Sequence, residues 1–220
     1  MDRPSTDFAQ ARDHMVDGQV RPNKVIDPRV IRAMRALPRE RFVPPNLQHL
    51  AYVDEDVPLG QGRVLVEPMV IARLVQLARV RDGERVLVVG AGPGYGAALM
   101  AACGGIVTAL EEDERLLALA RGLLPGLAPG VTIIAGPLAA GAPGTPWDVV
   151  MIEGAVTAIP PVFNDQVRVD GGRLVTVLAR GPAGYGVLAE HGGGGLRAQA
   201  EFDCATPLLA PLDAKPAFTF

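Results

Sequence analysis

The stretch Arg85-Val86-Leu87-Val88-Val89-Gly90-Ala91-Gly92-Pro93-Gly94-Tyr95-Gly96 decides how this chain is read. A continuous apolar run over 86–89 has the character of a strand buried on both faces of a parallel sheet. It ends in glycines at alternate positions, 90, 92 and 94. Glycine lets a backbone turn tightly and approach a ligand with no side chain in the way. Residues 97–102 read as the following helix, whose N-terminus would aim at the same point. The next strand, 106–110, leads to Glu111, about 20 residues after Gly90, where a carboxylate can accept from both hydroxyls of a ribose. The alternative is a tight strand-to-helix turn that binds nothing. The position of Glu111 favours the ligand, and predicts a carboxylate at the rim of the pocket, free to accept two hydroxyls.

Outward from this stretch, strands and helices alternate. A helix over 113–124 follows Glu111, with further strands over 131–135, 147–153 and 173–178. Pro160-Pro161 opens a helix to Val167. That rhythm predicts a parallel sheet covered on both faces. Upstream, Phe8, Ala11 and Met15 mark one face of a helix over 5–18. Asp27-Pro28 opens a second helix to Ala36, with Asp as N-cap and Pro in the first turn. Residues 52–66 read as extended loop and short strands, and Pro68 starts a helix to Ala78. Segments 184–190 and 196–202 read as two antiparallel strands joined by the glycine-rich 191–195. The expected organisation is one domain over 1–220. It comprises an N-terminal helical extension (1–50), a ligand-binding core (80–180) and C-terminal antiparallel strands (181–220).

Composition narrows the function. The 220 residues are 49% hydrophobic, enough for a substantial core, and the net charge of −3 argues against a nucleic-acid footprint. No apolar run is long enough to span a membrane, and no secretory signal is visible, so a cytoplasmic protein is expected. Cys103 and Cys204 are read as free thiols, and no metal-ligand spacing is present. Oligomeric state is left open.

Several pieces in order over about 15–180 then carry a resemblance. They are Arg39-Glu40-Arg41-Phe42-Val43-Pro44, Ala51-Tyr52 with Asp54, Pro58-Leu59-Gly60-Gln61-Gly62, Pro68, the glycine stretch, Glu111, Trp147-Asp148 and Gly171-Gly172-Arg173-Leu174-Val175. The chain resembles the protein-L-isoaspartate O-methyltransferase family of class I S-adenosylmethionine-dependent methyltransferases, as a divergent member. The resemblance implies an α/β fold: a doubly wound, mostly parallel, Rossmann-like seven-stranded sheet with an antiparallel final strand and an N-terminal helical cover. It implies S-adenosylmethionine as cofactor, held by Gly90, Gly92, Gly94, Tyr95 and Glu111. It also implies methyl esterification of isoaspartyl carboxylates in damaged proteins, a repair reaction, with a substrate loop of Arg63, Val64, Val66, Glu67 and Pro68. The partner would be an isoaspartyl protein or peptide.

The chain departs from the family pattern where chemistry is concentrated. Val88 and Pro137 stand where the family has acids that position the cofactor, which predicts weaker cofactor binding. Val64 and Val66 replace a Thr and a Ser, so the catalytic residue is unknown, and Glu67 adds a negative charge before Pro68. Low activity on isoaspartyl peptides is therefore expected. An isoaspartyl carboxylate is already ionised at neutral pH and needs positioning rather than a base. Glu153 takes the place of a Thr at the expected end of the fourth strand. It is either a desolvated base for a hydroxyl or amine acceptor, or a structural acid bonded to backbone amides or to the cofactor's amine in place of a lost acid. Three functions stay open: the family's reaction, another acceptor on the same scaffold, or a non-catalytic member.

Overall fold

A computed structural model describes residues 7–144, 146–181 and 183–212. Helix α1 (Phe8–Met15) is capped by Asp7, which accepts from the amides of Ala9 and Gln10. Residues 5 and 6 of the expected helix lie outside the described residues. α1 runs into one π turn, Val16–Val20, closed by the Arg21 amide on the Val16 carbonyl at 3.0 Å. The wider turn places both Val16 and Val20 in the core. α2 (Pro28–Ala36) starts at the Asp27 cap as the sequence predicts. Its Arg29 reaches the carbonyls of Val80 and Cys103 at 2.7 and 3.2 Å, tying the N-terminal helices to the body of the protein.

A short antiparallel pair, β1 (Val57–Gly60) and β2 (Arg63–Leu65), precedes α3 (Pro68–Ala78). The main succession is β3 (Arg85–Val89), α4 (Tyr95–Ala102), β4 (Ile106–Glu111), α5 (Glu114–Leu127), β5 (Thr132–Ala135), β6 (Val149–Val156), α6 (Val162–Gln166) and β7 (Arg173–Arg180). β8 (Ala183–His191) and β9 (Leu196–Cys204) close the sheet, whose order is β5-β4-β3-β6-β7-β8-β9. Strands β3 to β7 are parallel. The antiparallel strand is the penultimate one, β8, and not the last. The hairpin after β8 is too short to cross the sheet, so β9 pairs beside it and runs with the core again.

The continuous apolar run of β3 has a simple cause. Val86 and Val88 pack in one cluster with α3 and α4, and Leu87 and Val89 pack in another on the opposite face. β3 has β4 on one side and β6 on the other. The chain goes from β3 to β4 on one side and returns from β5 to β6 on the other, and the carboxyl end of such a strand is where open α/β sheets bind ligands.

β6 holds one departure from the sequence reading. It does not end at Glu153 but runs to Val156, and its pairing with β7 slips between Met151 and Ala155. Gly154, at φ +151°, takes the bulge that permits the slip.

Candidate active site

Glu111 lies at the end of β4 beside the glycine turn and is 1% exposed. Its carboxylate is not free. Arg63 of β2 grips it with two bonds, Nη1 to Oε1 at 2.7 Å and Nη2 to Oε2 at 2.8 Å. Three amides complete the shell: Gly92 at 2.7 Å on Oε2, and Glu112 and Asp113 at 2.9 and 3.0 Å on Oε1. Burial pushes this carboxyl up, but the bonds and charge of Arg63, with the Asp113 and Gly92 amides, outweigh it and hold the group below its ordinary value. The expectation of a carboxylate open to two hydroxyls is therefore corrected: both oxygens are already used. Arg63, placed in the expected substrate loop, is the partner of Glu111, with a further bond to the Gly90 carbonyl at 2.9 Å.

The three glycines do different work. Gly90, at φ +71°, faces the cleft, and a Cβ there would lie 2.6 Å from Leu209 Cδ2 and 3.5 Å from Arg63 Nη2. Gly94 lets α4 begin against α5, since a Cβ would meet Leu124 Cδ1 at 2.7 Å. Gly92 presents its amide to Glu111. The sequence places Tyr95 among the cofactor residues. It is instead fully buried, edge-on to Phe42 at 5.2 Å and beneath the Arg39 guanidinium at 4.9 Å.

Two cavities adjoin at the carboxyl ends of β4 and β5. One of about 500 Å³ is lined by Glu112, Glu114, Ala135, Gly136 and Pro137. The other, of about 480 Å³, is lined by Gln61, Arg63, Glu112, Asp113, Ala210 and Pro211. The cleft is thus open beside β5 and closed over Gly90. What closes it is the chain's own C-terminal segment. Ala155 donates to the Pro207 carbonyl at 3.2 Å, and Leu209 donates to the Ala155 carbonyl at 2.7 Å. Leu208 makes a parallel bridge with Ala155. Leu209, 3% exposed, rests on Gly90 and Gly154.

Glu153 is 7% exposed and its Oε2 has no bonding partner. It lies against α4, where a Cβ on Gly96 would meet that oxygen at 2.3 Å. Burial pushes its carboxyl up to about 8, only partly opposed by the charges of Arg63 and Arg39 and by the Gly96 amide. Arg39, fully buried, donates to the carbonyls of Ala51 and Val66, both at 2.7 Å, so it fastens the N-terminal turns to the loop before α3.

The rest of the expected loop is divided. Val66 is buried in the core, and Val64 is only partly buried. Val66, expected in the substrate loop, therefore faces inward in this chain. Pro68 is the buried first residue of α3. Glu67 caps α3 without a side-chain bond to it. Burial, then the nearby charges of Asp56 and Asp54, pushes its carboxyl up to about 7. Among the described residues no group of three or more His, Cys, Asp or Glu is gathered as a metal ion requires. No helix among them is long and apolar enough to cross a membrane.

Sequence reasoning missed Leu209 entirely and missed what Arg63 binds. A cation next to the last glycine of the 60–62 turn was a usable signal for Arg63. A leucine among Pro207, Leu208 and Pro211 offers none.

Comparison with known proteins bears on this geometry. Residues 10–185 match the family model described as Protein-L-isoaspartate(D-aspartate) O-methyltransferase (PCMT). Over 173 residues the chain is 37% identical to Protein-L-isoaspartate O-methyltransferase 1 of Rhodopseudomonas palustris (strain HaA2), covering 78% of this chain and 70% of the relative. It is 38% identical over 182 residues to Protein-L-isoaspartate O-methyltransferase of Methylorubrum extorquens (strain PA1), covering 82% and 78%. A solved protein-L-isoaspartate O-methyltransferase superposes with a TM-score of 0.74 at 21% identity, over 89% of this chain and 64% of that one. A second, from Plasmodium falciparum in complex with S-adenosyl-L-homocysteine, gives 0.72 at 16% identity, over 92% and 97%.

Proposed function

The chain belongs to the protein-L-isoaspartate O-methyltransferase family, and from that premise we propose that it transfers a methyl group from S-adenosylmethionine to isoaspartyl carboxylates of damaged proteins or peptides. The cofactor supplies an activated methyl on its sulfonium sulfur. The observation that carries the reading is the glycine turn at the carboxyl end of β3, which meets Glu111 through the Gly92 amide at 2.7 Å. We keep Gly90, Gly92 and Glu111 as the residues that would hold the cofactor, with the open cavity beside Ala135 and Pro137 at one end. The other end does not fit such a ligand in this conformation. The space over Gly90 is filled by Leu209, and both oxygens of Glu111 are taken by Arg63.

We further propose that the 220 residues act as one domain in the cytoplasm. One apolar cluster running from Met15 to Phe202 supports the first part. The two free cysteines suit a reducing compartment and support the second.

The test is methyl transfer from labelled cofactor to a peptide carrying isoaspartate, beside the same peptide carrying aspartate. Ester is expected on the first peptide only, at a low rate. Label on a hydroxyl or amine acceptor, and none on the isoaspartyl peptide, would move the assignment to another acceptor.

The loop adds a pH signature. Glu67 gains charge as pH rises through about 7, and a like charge disfavours an incoming carboxylate. KM for the isoaspartyl peptide is expected to rise between pH 6 and 8, and Glu67→Gln is expected to flatten that rise. A wild-type KM independent of pH over this range would show that Glu67 does not face the acceptor.

A further inference from the structure

We infer that residues 205–212 are an intramolecular plug of the cofactor cleft, seated by Leu209 over Gly90 and Gly154, and that the cofactor loads only when this plug lifts and Arg63 turns off Glu111. The inference rests on the family reading, because it takes the S-adenosyl group as the ligand for which the cleft is built.

Three observations converge on the same small volume. Leu209 touches the two glycines that end β3 and form the β6 bulge, at 2.6 and 3.1 Å from where a Cβ would stand. Such contact leaves no layer for another group above the glycine turn. Arg63 borders the same space, with Nη2 shared between the Gly90 carbonyl and Glu111 Oε2. The neighbouring cavities remain open, so the obstruction is local and not a collapsed site.

The fastening is light. Two backbone bonds hold the segment to β6, both on Ala155, and a short turn closes from the Leu212 amide to the Leu209 carbonyl at 2.8 Å. Leu209 and Leu212 are its buried anchors, whereas Leu208 is 38% exposed. Opening costs the burial of Leu209 and Leu212 in the apolar cluster on that face of the sheet and the two bonds on Ala155, less than global unfolding. The closed form then lowers apparent cofactor affinity by the fraction of molecules that are open. Emptying the plug raises that fraction without touching Gly90, Gly92 or Glu111.

The experiment is calorimetric titration with S-adenosylhomocysteine of the full chain, of Leu209→Ala, and of the chain ended after Cys204, with folding checked by circular dichroism. Both variants are expected to bind on the order of tenfold more tightly than the full chain. Hydrogen exchange on the unaltered protein gives a readout that needs no variant. Added S-adenosylhomocysteine is expected to speed exchange at the Ala155 and Leu209 amides while it protects Gly92. Binding of equal strength in all three proteins, with Ala155 and Leu209 unchanged or slowed, overturns the plug and leaves the cofactor assignment standing. Absence of binding in all three overturns both.

Discussion

Arg63→Ala lowers the free energy of unfolding by about 3–5 kcal/mol, the range for leaving one member of a buried ion pair alone. The residue is 8% exposed and donates three bonds, two to Glu111 and one to the Gly90 carbonyl. Removing it leaves a buried carboxylate facing only the amides of Gly92, Glu112 and Asp113. Urea denaturation at neutral pH reads the change as a lower midpoint at an unaltered slope. The sign of the pH dependence follows from the depressed folded value of Glu111. Stability gained by holding a proton off a carboxyl is present above its ordinary value and is lost as pH falls through the folded one. The gap between wild type and Arg63→Ala therefore narrows on acidification. A double-mutant cycle with Glu111→Gln isolates the pair, and a coupling near zero would show that the two groups do not hold each other in solution. The same pair bears on ligand loading. A ribose that takes Glu111 would have to compensate for the guanidinium it displaces.

Glu153→Gln is expected to stabilise the protein in alkali and to leave the acid side unchanged. The carboxyl is pushed up to about 8, above the ordinary 4.5, because burial penalises its charge more than Arg63 and Arg39 favour it. Below the ordinary value the group is protonated in both folded and unfolded chains and contributes no pH dependence. Between about 4.5 and 8 the unfolded chain releases the proton and the folded chain keeps it, so stability falls as pH rises. Above about 8 the penalty is complete. At about 1.4 kcal/mol for each tenfold change in proton affinity it is worth several kcal/mol at most. Thermal melts of the two proteins at pH 5 and pH 9 test this. The difference should grow in favour of Glu153→Gln, whereas a wild type that melts higher at pH 9 would mean that Glu153 is charged and paired. The group is closed off against Gly96, with no bonding partner on Oε2, so the two roles that the sequence allows, structural acid and base, both stay open.

Much of the architecture is legible in the sequence alone. The run 86–89, the glycines after it and the acid ending β4 predict the strand-turn-helix unit and the binding end of the sheet. The Asp27-Pro28 pair predicts where α2 begins, and Pro68 predicts the start of α3. These features are local. Apolar spacing records which face of an element is buried, and caps and glycines record where the backbone turns, so neither depends on a distant partner. Glu67 could likewise be suspected from its charge next to a helix start.

The state of the site was decided only by tertiary structure. Arg63 and Glu111 are 48 positions apart, and nothing in either neighbourhood says that the β1–β2 hairpin folds its cation onto the end of β4. Val66 reads as a substrate-loop residue, yet the course of the chain between β2 and α3 turns it into the core. Gly154 reads as a residue past the end of the strand, yet it lies in the bulge that shifts β6 against β7, next to Ala155, which bridges to Leu208. Leu209 then fills the place the glycines leave, because a side chain from a remote segment packs best where no Cβ stands. Sequence determined the scaffold and the kinds of group at its binding end, because periodicity and turn chemistry act over a few residues. Which groups meet there, and whether the cleft stands open, depends on register and on long-range packing that no short stretch encodes.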